Sequence, residues 1–216
     1  MKKIVIVGNG GMASEIKWMI DRINYVKPTW KFCGFVVNEL LESDELFFGN
    51  DEYLLSIEEE MYVAIAIGNC RVRKKLAEEY IRNEYLKFPN LIDPSVIISE
   101  KIKLGKGNII AANSVFTVNC ILGDFNIINL FCTISHDTVI GNYNNIQSGS
   151  NISGNVTIMN EVEIGTGTQV IQGKKIHSNS TIGAGAVVIR DIPGKCTAVG
   201  VPTRVIKINN SNFALE

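Results

Sequence analysis

Stepping by six from Ile92, through Leu104, Phe116, Ile134, Ile152 and Val170, to Val188 meets only Ile, Leu, Val or Phe. That class makes up roughly one residue in four of ordinary chains, so chance would break so long a run. A period of six is neither the 3.6 of a helix nor the 2 of a plain strand. It fits a chain that extends for two or three residues, turns and repeats. Three such units close a triangular coil of eighteen residues. The position four past the apolar one is mostly small or β-branched (Asn108, Ser114, Cys120, Asn126, Cys132, Thr138), which suits a second inward slot. The position directly after the apolar one carries Gly105, Gly123, Gly141, Gly165 and Gly183. Glycine there is expected to supply a turn with positive φ. One coil cannot bury a core alone, but a stack can. The repeat covers 92–193 and predicts a prism of five to six coils, about 27 Å long at the inter-strand spacing.

The N-terminal part reads differently. Lys3–Val7 is an apolar strand followed by Gly8-Asn9-Gly10-Gly11, then a helix starting near Met12. Met12, Ile16, Met19, Ile20 and Ile23 form its apolar stripe, with Lys17, Asp21 and Arg22 facing away. Further strands are predicted at Cys33–Val37 and 62–67. A charged helix is predicted over 71–84, with Lys74 and Glu78 paired at i, i+4. The order predicts a small parallel α/β unit over 1–88 and a second domain over 89–216. Gly8, Gly10 and Ala13 loosely match G-x-G-x-x-A, a turn that brings a helix N-terminus to a phosphate. Three readings stay open: a packing turn, a nucleotide or nucleotide-sugar headgroup, or NAD or FAD. A full dinucleotide fold needs a second half, and the prism begins before it.

Lys+Arg is 21 and Asp+Glu 22, so no basic excess exists to neutralise a nucleic-acid backbone. The longest apolar runs fall far short of a membrane span of roughly 20 residues. The N-terminal apolar run reads as a first strand rather than a secretory segment. The expectation is therefore a cytoplasmic protein with no nucleic-acid partner and no membrane span. The five cysteines lie far apart without a C-x-x-C, so free buried thiols are expected instead of zinc or disulfides.

Two histidines are present, His136 and His177. A three-imidazole metal site fails on that count, and no metal is expected. His177 directly follows inward Ile176 and reads as an exposed turn residue. His136 lies two residues after inward Ile134, in a turn, so it points outward from a prism corner. Asp137 follows it. A neutral imidazole is a natural general base near neutral pH, and an adjacent carboxylate can hold its tautomer. The bland alternative is a solvated surface pair.

The six-residue pattern resembles that of the hexapeptide-repeat acyltransferases. That resemblance implies an α/β Rossmann-like N-terminal domain followed by a left-handed parallel β-helix, against the usual right-handed crossover rule. Ile134-Ser-His-Asp-Thr-Val-Ile-Gly141 and Ser153-Gly154-Asn155-Val156 resemble the catalytic segments of sugar acetyltransferases of bacillosamine and sialic-acid pathways. So do Gly8–Ala13, Ile65–Asn69, Pro89–Pro94, Ile182–Val188 and Gly200–Arg204, in the same order along the chain. The resemblance implies acetyl-CoA as co-substrate. It makes His136 the general base and Asp137 its orienting partner, and it puts an oxyanion-binding N–H at Gly154. It places Asn145, Gly154, Thr166 and Ala184 against acetyl-CoA. It places Gly10, Gly11, Met12, Val37, Asn38 and Gly68 against a nucleotide-sugar. The donor would lie between neighbouring prisms of a homotrimer with shared active sites. Relatives of this kind carry two aspartates after the second strand, where this chain has Val37-Asn38. N-acetylation of an amino-deoxy sugar for surface-glycan synthesis is the activity implied. O-acetylation of a sialic acid or related sugar is the alternative, and a non-catalytic scaffold is a further one.

Overall fold

The computed structural model describes residues 1–38 and 46–208. A five-stranded parallel sheet comes first: β1 (Lys2–Val7), β2 (Trp30–Val36), β3 (Phe47–Gly49), β4 (Met61–Ile65) and β5 (Leu86–Lys87), in the order β3-β2-β1-β4-β5. Helix α1 (Gly11–Val26) follows β1, short α2 (Asp51–Leu55) follows β3, and α3 (Cys70–Tyr80) follows β4. β1 is buried on both faces at Ile4, Val5, Ile6 and Val7, which explains its unbroken apolar run. α1 turns Ala13, Ile16, Met19 and Ile20 inward, matching the stripe in its sequence.

Several local expectations are corrected. α3 ends at Tyr80, short of 84. Lys74 reaches across to Glu161 of the prism at 2.8 Å instead of pairing with Glu78. Arg22 does not simply face solvent: its guanidinium grips Asp93 at 2.6 and 3.0 Å. β3, α2 and β5 carry no strong periodic signal and were not foreseen; β3 and β5 are only three and two residues long.

From Leu91 onward the chain winds as the left-handed parallel β-helix. Two-residue strands stack in parallel with partners eighteen residues apart throughout the repeat, in three sheets of six, five and eight strands; the eight-stranded sheet ends on the longer Cys196–Val199 and on Arg204–Ile208, which runs antiparallel to it. Each strand ends on the inward residue of its unit. From Ile110 to Val188 every one of these is fully buried in a single core. Ile92, Ile98 and Leu104, in the first coil, are only partly covered. The second inward slot is more polar than its size suggests. Asn108, Asn126 and Asn144 are wholly buried and form a ladder. Asn126 Nδ2 donates to Asn108 Oδ1 at 3.1 Å, and Asn144 Nδ2 to Asn126 Oδ1 at 3.0 Å. Each rung is satisfied by the next coil, so the buried amides cost little.

The glycines have a different cause from the one expected. Gly105, Gly123 and Gly141 do not adopt positive φ. A β-carbon on Gly123 would sit 2.2 Å from Asn142 Oδ1 and 2.7 Å from Gly141 O, so close stacking excludes any side chain. The left-handed residues are instead every sixth one from Gly107 to Gly185, three past the inward position, and they include Phe125, Asp137, Tyr143 and Glu161.

The eight-stranded sheet of the prism packs on the α/β unit. Its outward residues Leu91, Ile109 and Ile127 join the core formed by α1 and β1. Arg73 of α3, 1% exposed, stitches the two parts together. It donates to the carbonyls of Ile67 and Gly68 on one side and of Phe125, Tyr143 and Asn144 on the other.

Candidate active site

The edge between the six-stranded and five-stranded prism sheets lies opposite the eight-stranded sheet, away from the α/β unit. His136 and Asp137 occupy it. The imidazole is about half exposed, pointing outward as the unit's phase predicts. Asp137 is one of the left-handed residues, φ 59°, which turns its side chain back alongside the ring. His136 Nδ1 lies 2.9 Å from Asp137 Oδ2. Asn119, one coil earlier, donates to Asp137 Oδ1 at 3.1 Å. The hydrogen bond from His136, with that from Asn119, holds the Asp137 carboxyl below its ordinary value. An ionised carboxylate only accepts, so Nδ1 carries the proton and Nε2 keeps its lone pair free. Asn119 escaped the sequence reading; its signal is position alone, eighteen residues before Asp137.

Gly154 stacks above His136 by the coil period. Asn155 N–H donates to His136 O at 2.8 Å, which locks the two coils in register. A β-carbon on Gly154 would lie 2.4 Å from both Cε1 and Nε2 of His136. The backbone here therefore approaches the free face of the imidazole as no side-chain-bearing residue would allow. Among the described residues the Gly154 N–H has no hydrogen-bond acceptor. A base and a donor thus lie side by side, which is what addition to a carbonyl needs.

The other predicted residues fall into separate groups. Thr166 and Ala184 are exposed and stacked one coil apart, on the edge shared by the eight- and six-stranded sheets. That is a different edge from His136's. Asn145 departs from expectation: its residue is 1% exposed, beneath the α/β unit, with Nδ2 donating to Gly68 O at 3.1 Å. Its side chain thus belongs beside Gly68 rather than in an open groove. A β-carbon on Gly68 would also come within 3.5 Å of Met12 Cε, so Met12, Gly68 and Asn145 converge.

Gly10 is the N-cap of α1 with no side-chain cap, and the first turn carries no acidic residue. Gly10 and Gly11 have open space where a β-carbon would be, so their backbone is reachable. Gly8, at φ 100°, does need glycine. Beside this turn, Val37 and Asn38 line a cleft of about 430 Å³ at the C-terminal ends of β1 and β2. Ligands of parallel α/β sheets enter at such ends. His177 is exposed. All five cysteines are free, and Cys70, Cys120, Cys132 and Cys196 are buried. Among the described residues no helix is long and apolar enough to cross a membrane.

The profile of the PglD N-terminal domain matches residues 3–80. Solved structures match over nearly the full chain. PerB from Caulobacter crescentus, determined with CoA and GDP-perosamine, is 28% identical with a TM-score of 0.85, over 96% of this chain and 98% of that one. The acetyltransferase domain of PglB from Neisseria gonorrhoeae, determined with acetyl coenzyme A, is 28% identical with a TM-score of 0.86, over 95% and 99%. Over nearly its whole length the chain is similar in fold to these hexapeptide-repeat sugar acetyltransferases. WeeI from Acinetobacter baumannii shares the fold at 24% identity and a TM-score of 0.83, over 95% of this chain and 100% of that one. No curated protein matches this chain in sequence.

Proposed function

We propose that this acetyltransferase moves the acetyl group of acetyl-CoA onto the amine of an amino-deoxy sugar carried on a nucleoside diphosphate. The observation that carries the reading is the free Nε2 of His136 set against the unpaired N–H of Gly154. PerB, crystallised with CoA and GDP-perosamine, and PglB, crystallised with acetyl coenzyme A, support the choice of donor and acceptor class.

In this mechanism His136 Nε2 takes a proton from the sugar amine as its nitrogen attacks the thioester carbon. The C–N bond forms, and Gly154 N–H stabilises the negative charge that develops on the carbonyl oxygen. Asp137 stabilises the imidazolium that results. When the C–S bond breaks, the imidazolium returns its proton to the departing thiolate, giving free CoA thiol and the acetamido sugar. His136 ends as it began.

Gly10, Gly11 and Met12 would hold the diphosphate at the start of α1, with Gly68 nearby and Val37 and Asn38 beside the nucleoside. Thr166 and Ala184 would line the donor groove with Gly154. Since His136 and Thr166 occupy different prism edges, packing the edge of one copy against another edge of its neighbour would complete the groove. A homotrimer with three shared sites is the closed arrangement this suits. The α/β unit over 1–88 and the prism over 89–216 would then divide acceptor and donor binding. A cytoplasmic place in surface-glycan synthesis fits a nucleotide-linked substrate.

The test is CoA thiol release from acetyl-CoA with UDP-, GDP- and dTDP-amino sugars and with CMP-sialic acid. Turnover confined to one of the amino sugars, and abolished in His136→Ala, is expected. Turnover confined to CMP-sialic acid would move the assignment to O-acetylation. Turnover undiminished in His136→Ala would remove the base.

A further inference from the structure

The cleft beside Gly8 has apolar walls, Val37, Ile67, Val72 and Leu76; Asn38 and Asp51 form a polar rim, and Asn9 is the other polar residue lining it. Asp51 opens α2, thirteen residues past Asn38, and is the only carboxylate lining the cleft among the described residues. It is held by three hydrogen bonds to two neighbours. Asn38 Nδ2 donates to Asp51 Oδ2 at 2.8 Å, and the Asp51 N–H donates to Asn38 Oδ1 at 3.1 Å. The buried Tyr80 hydroxyl donates to Asp51 Oδ1. Burial, with the nearby carboxylate, raises the Tyr80 phenol far above its ordinary value, so it stays a donor. A carboxylate accepts about four hydrogen bonds, and two of these side-chain donors satisfy only half of that capacity. The residue is partly exposed, with its remaining acceptor sites available at the cleft.

We infer that Asp51 reads the nucleobase of the acceptor by accepting its imino N–H, and so selects uracil, thymine or guanine over cytosine and adenine. This rests on the nucleotide-sugar reading above and goes beyond it. Val37 cannot accept a hydrogen bond, and the oxygen of Asn38 is already engaged by the Asp51 N–H. Among the described residues the acceptor at this rim therefore comes from α2. A flat base fits between apolar walls, and its edge then meets the rim. The second hydrogen on Asn38 Nδ2 can donate to the keto oxygen next to the imino nitrogen. Acceptor beside donor is the complement of a keto-imino edge. Cytosine and adenine present a bare ring nitrogen there, which a carboxylate repels. Rigid fixing by Asn38 and Tyr80 makes Asp51 a specificity-determining residue, because a fixed partner discriminates better than a mobile one.

Calorimetry on the full-length protein tests this with UDP, dTDP, GDP, CDP and ADP. At least one keto-base diphosphate should bind about tenfold or more tightly than CDP and ADP, the scale of one charge-assisted hydrogen bond. In Asp51→Asn that preference should collapse by about tenfold or more, with CDP binding held or improved, since the amide can donate to a bare ring nitrogen. If the variant fails to fold, N3-methyl-UDP and N1-methyl-GDP decide the matter on the wild type. Methylation removes the donor and should weaken the preferred diphosphate by a similar factor. Unchanged preference in Asp51→Asn, or equal binding of the methylated bases, would overturn the role of Asp51 and leave the nucleotide-sugar reading standing. No measurable binding of any of the five would overturn both.

Discussion

Gly154 holds its backbone against the imidazole of His136: a β-carbon added there would lie 2.4 Å from Nε2. Neither residue could be placed so without the eighteen-residue coil between them. Gly154→Ala therefore cannot keep the present geometry, and the imidazole is the part free to move. The N–H survives the substitution, so the loss reports displacement of the base. A shift of about 1 Å in reacting groups is enough for a fall in kcat of about a hundredfold. Circular dichroism and melting temperature should change little, because the ring lies outside the core. A variant with full kcat would show that His136 and Gly154 do not act together.

The chain of Asn119, Asp137 and His136 predicts the shape of the pH profile. The Asp137 carboxyl is held below its ordinary value by His136 first and Asn119 second, so it stays ionised throughout the range in which an imidazole titrates. The acid limb of log kcat against pH should accordingly have a slope of one, from loss of the Nε2 lone pair alone. Asp137→Asn should lower kcat by about tenfold to a hundredfold, since the imidazolium loses its partner. Asn119→Ala should cost a few-fold in kcat with the slope kept. A slope of two in the wild type would mean that Asp137 titrates with His136.

The prism was legible because its signal is redundant: one inward residue in six, repeated from Ile92 to Val188, survives any single ambiguity. The outward phase of His136 followed from the same register. Docking of the α/β unit was written in the sequence too, in the outward positions of one face. Leu91, Ile109 and Ile127 are apolar there, while the next coils carry Asn145 and Glu163. What stayed hidden depends on contacts between distant segments. Lys74 has Glu78 one helical turn away, yet Glu161 lies within reach across the domain junction. Asp51 sits in a five-residue helix with no periodicity to mark it, and only the fold brings it to Asn38. Spacing alone cannot separate a glycine kept for positive φ from one kept by a crowded β-carbon, and in this repeat the crowding decides.

The Arg22–Asp93 pair predicts how stability depends on pH. Burial pushes the Asp93 carboxyl up, but hydrogen bonds from Arg22 and from the hydroxyl and N–H of Ser95 outweigh it and hold the group below its ordinary value. A carboxyl depressed in the folded state stabilises the protein above its unfolded pKa of about 3.9 and ceases to do so as pH falls through the folded value. Asp93→Asn should thus lower stability at pH 7 by about 2 kcal/mol, the partly exposed Arg22 being screened by solvent. The gap between variant and wild type should begin to narrow below about pH 4 and close once pH lies below the depressed folded value. Urea unfolding at pH 7 and at pH 3.5 measures both; an equal gap at the two values would refute the ionic origin.

Arg73 gives the last prediction, because its partners are carbonyls contributed by both parts of the molecule. Ile67 and Gly68 accept on the α/β side, and Phe125, Tyr143 and Asn144 on the prism side, all between 2.6 and 3.0 Å. Burial pushes the guanidinium down from its ordinary value, but an arginine starts so high that it remains a cation. Methionine would match its length and leave those buried carbonyls without their donors, at about 3 kcal/mol or more of stability. Lysine would restore the charge but not the planar fork, so Arg73→Lys should recover only part of the loss. Since Gly68 is one of the anchored residues, Arg73→Met should also raise KM for the nucleotide-sugar several-fold while kcat changes little. The catalytic edge lies across the prism and keeps its own contacts. A fall in kcat equal to that in kcat/KM would instead tie the clamp to the chemistry of His136.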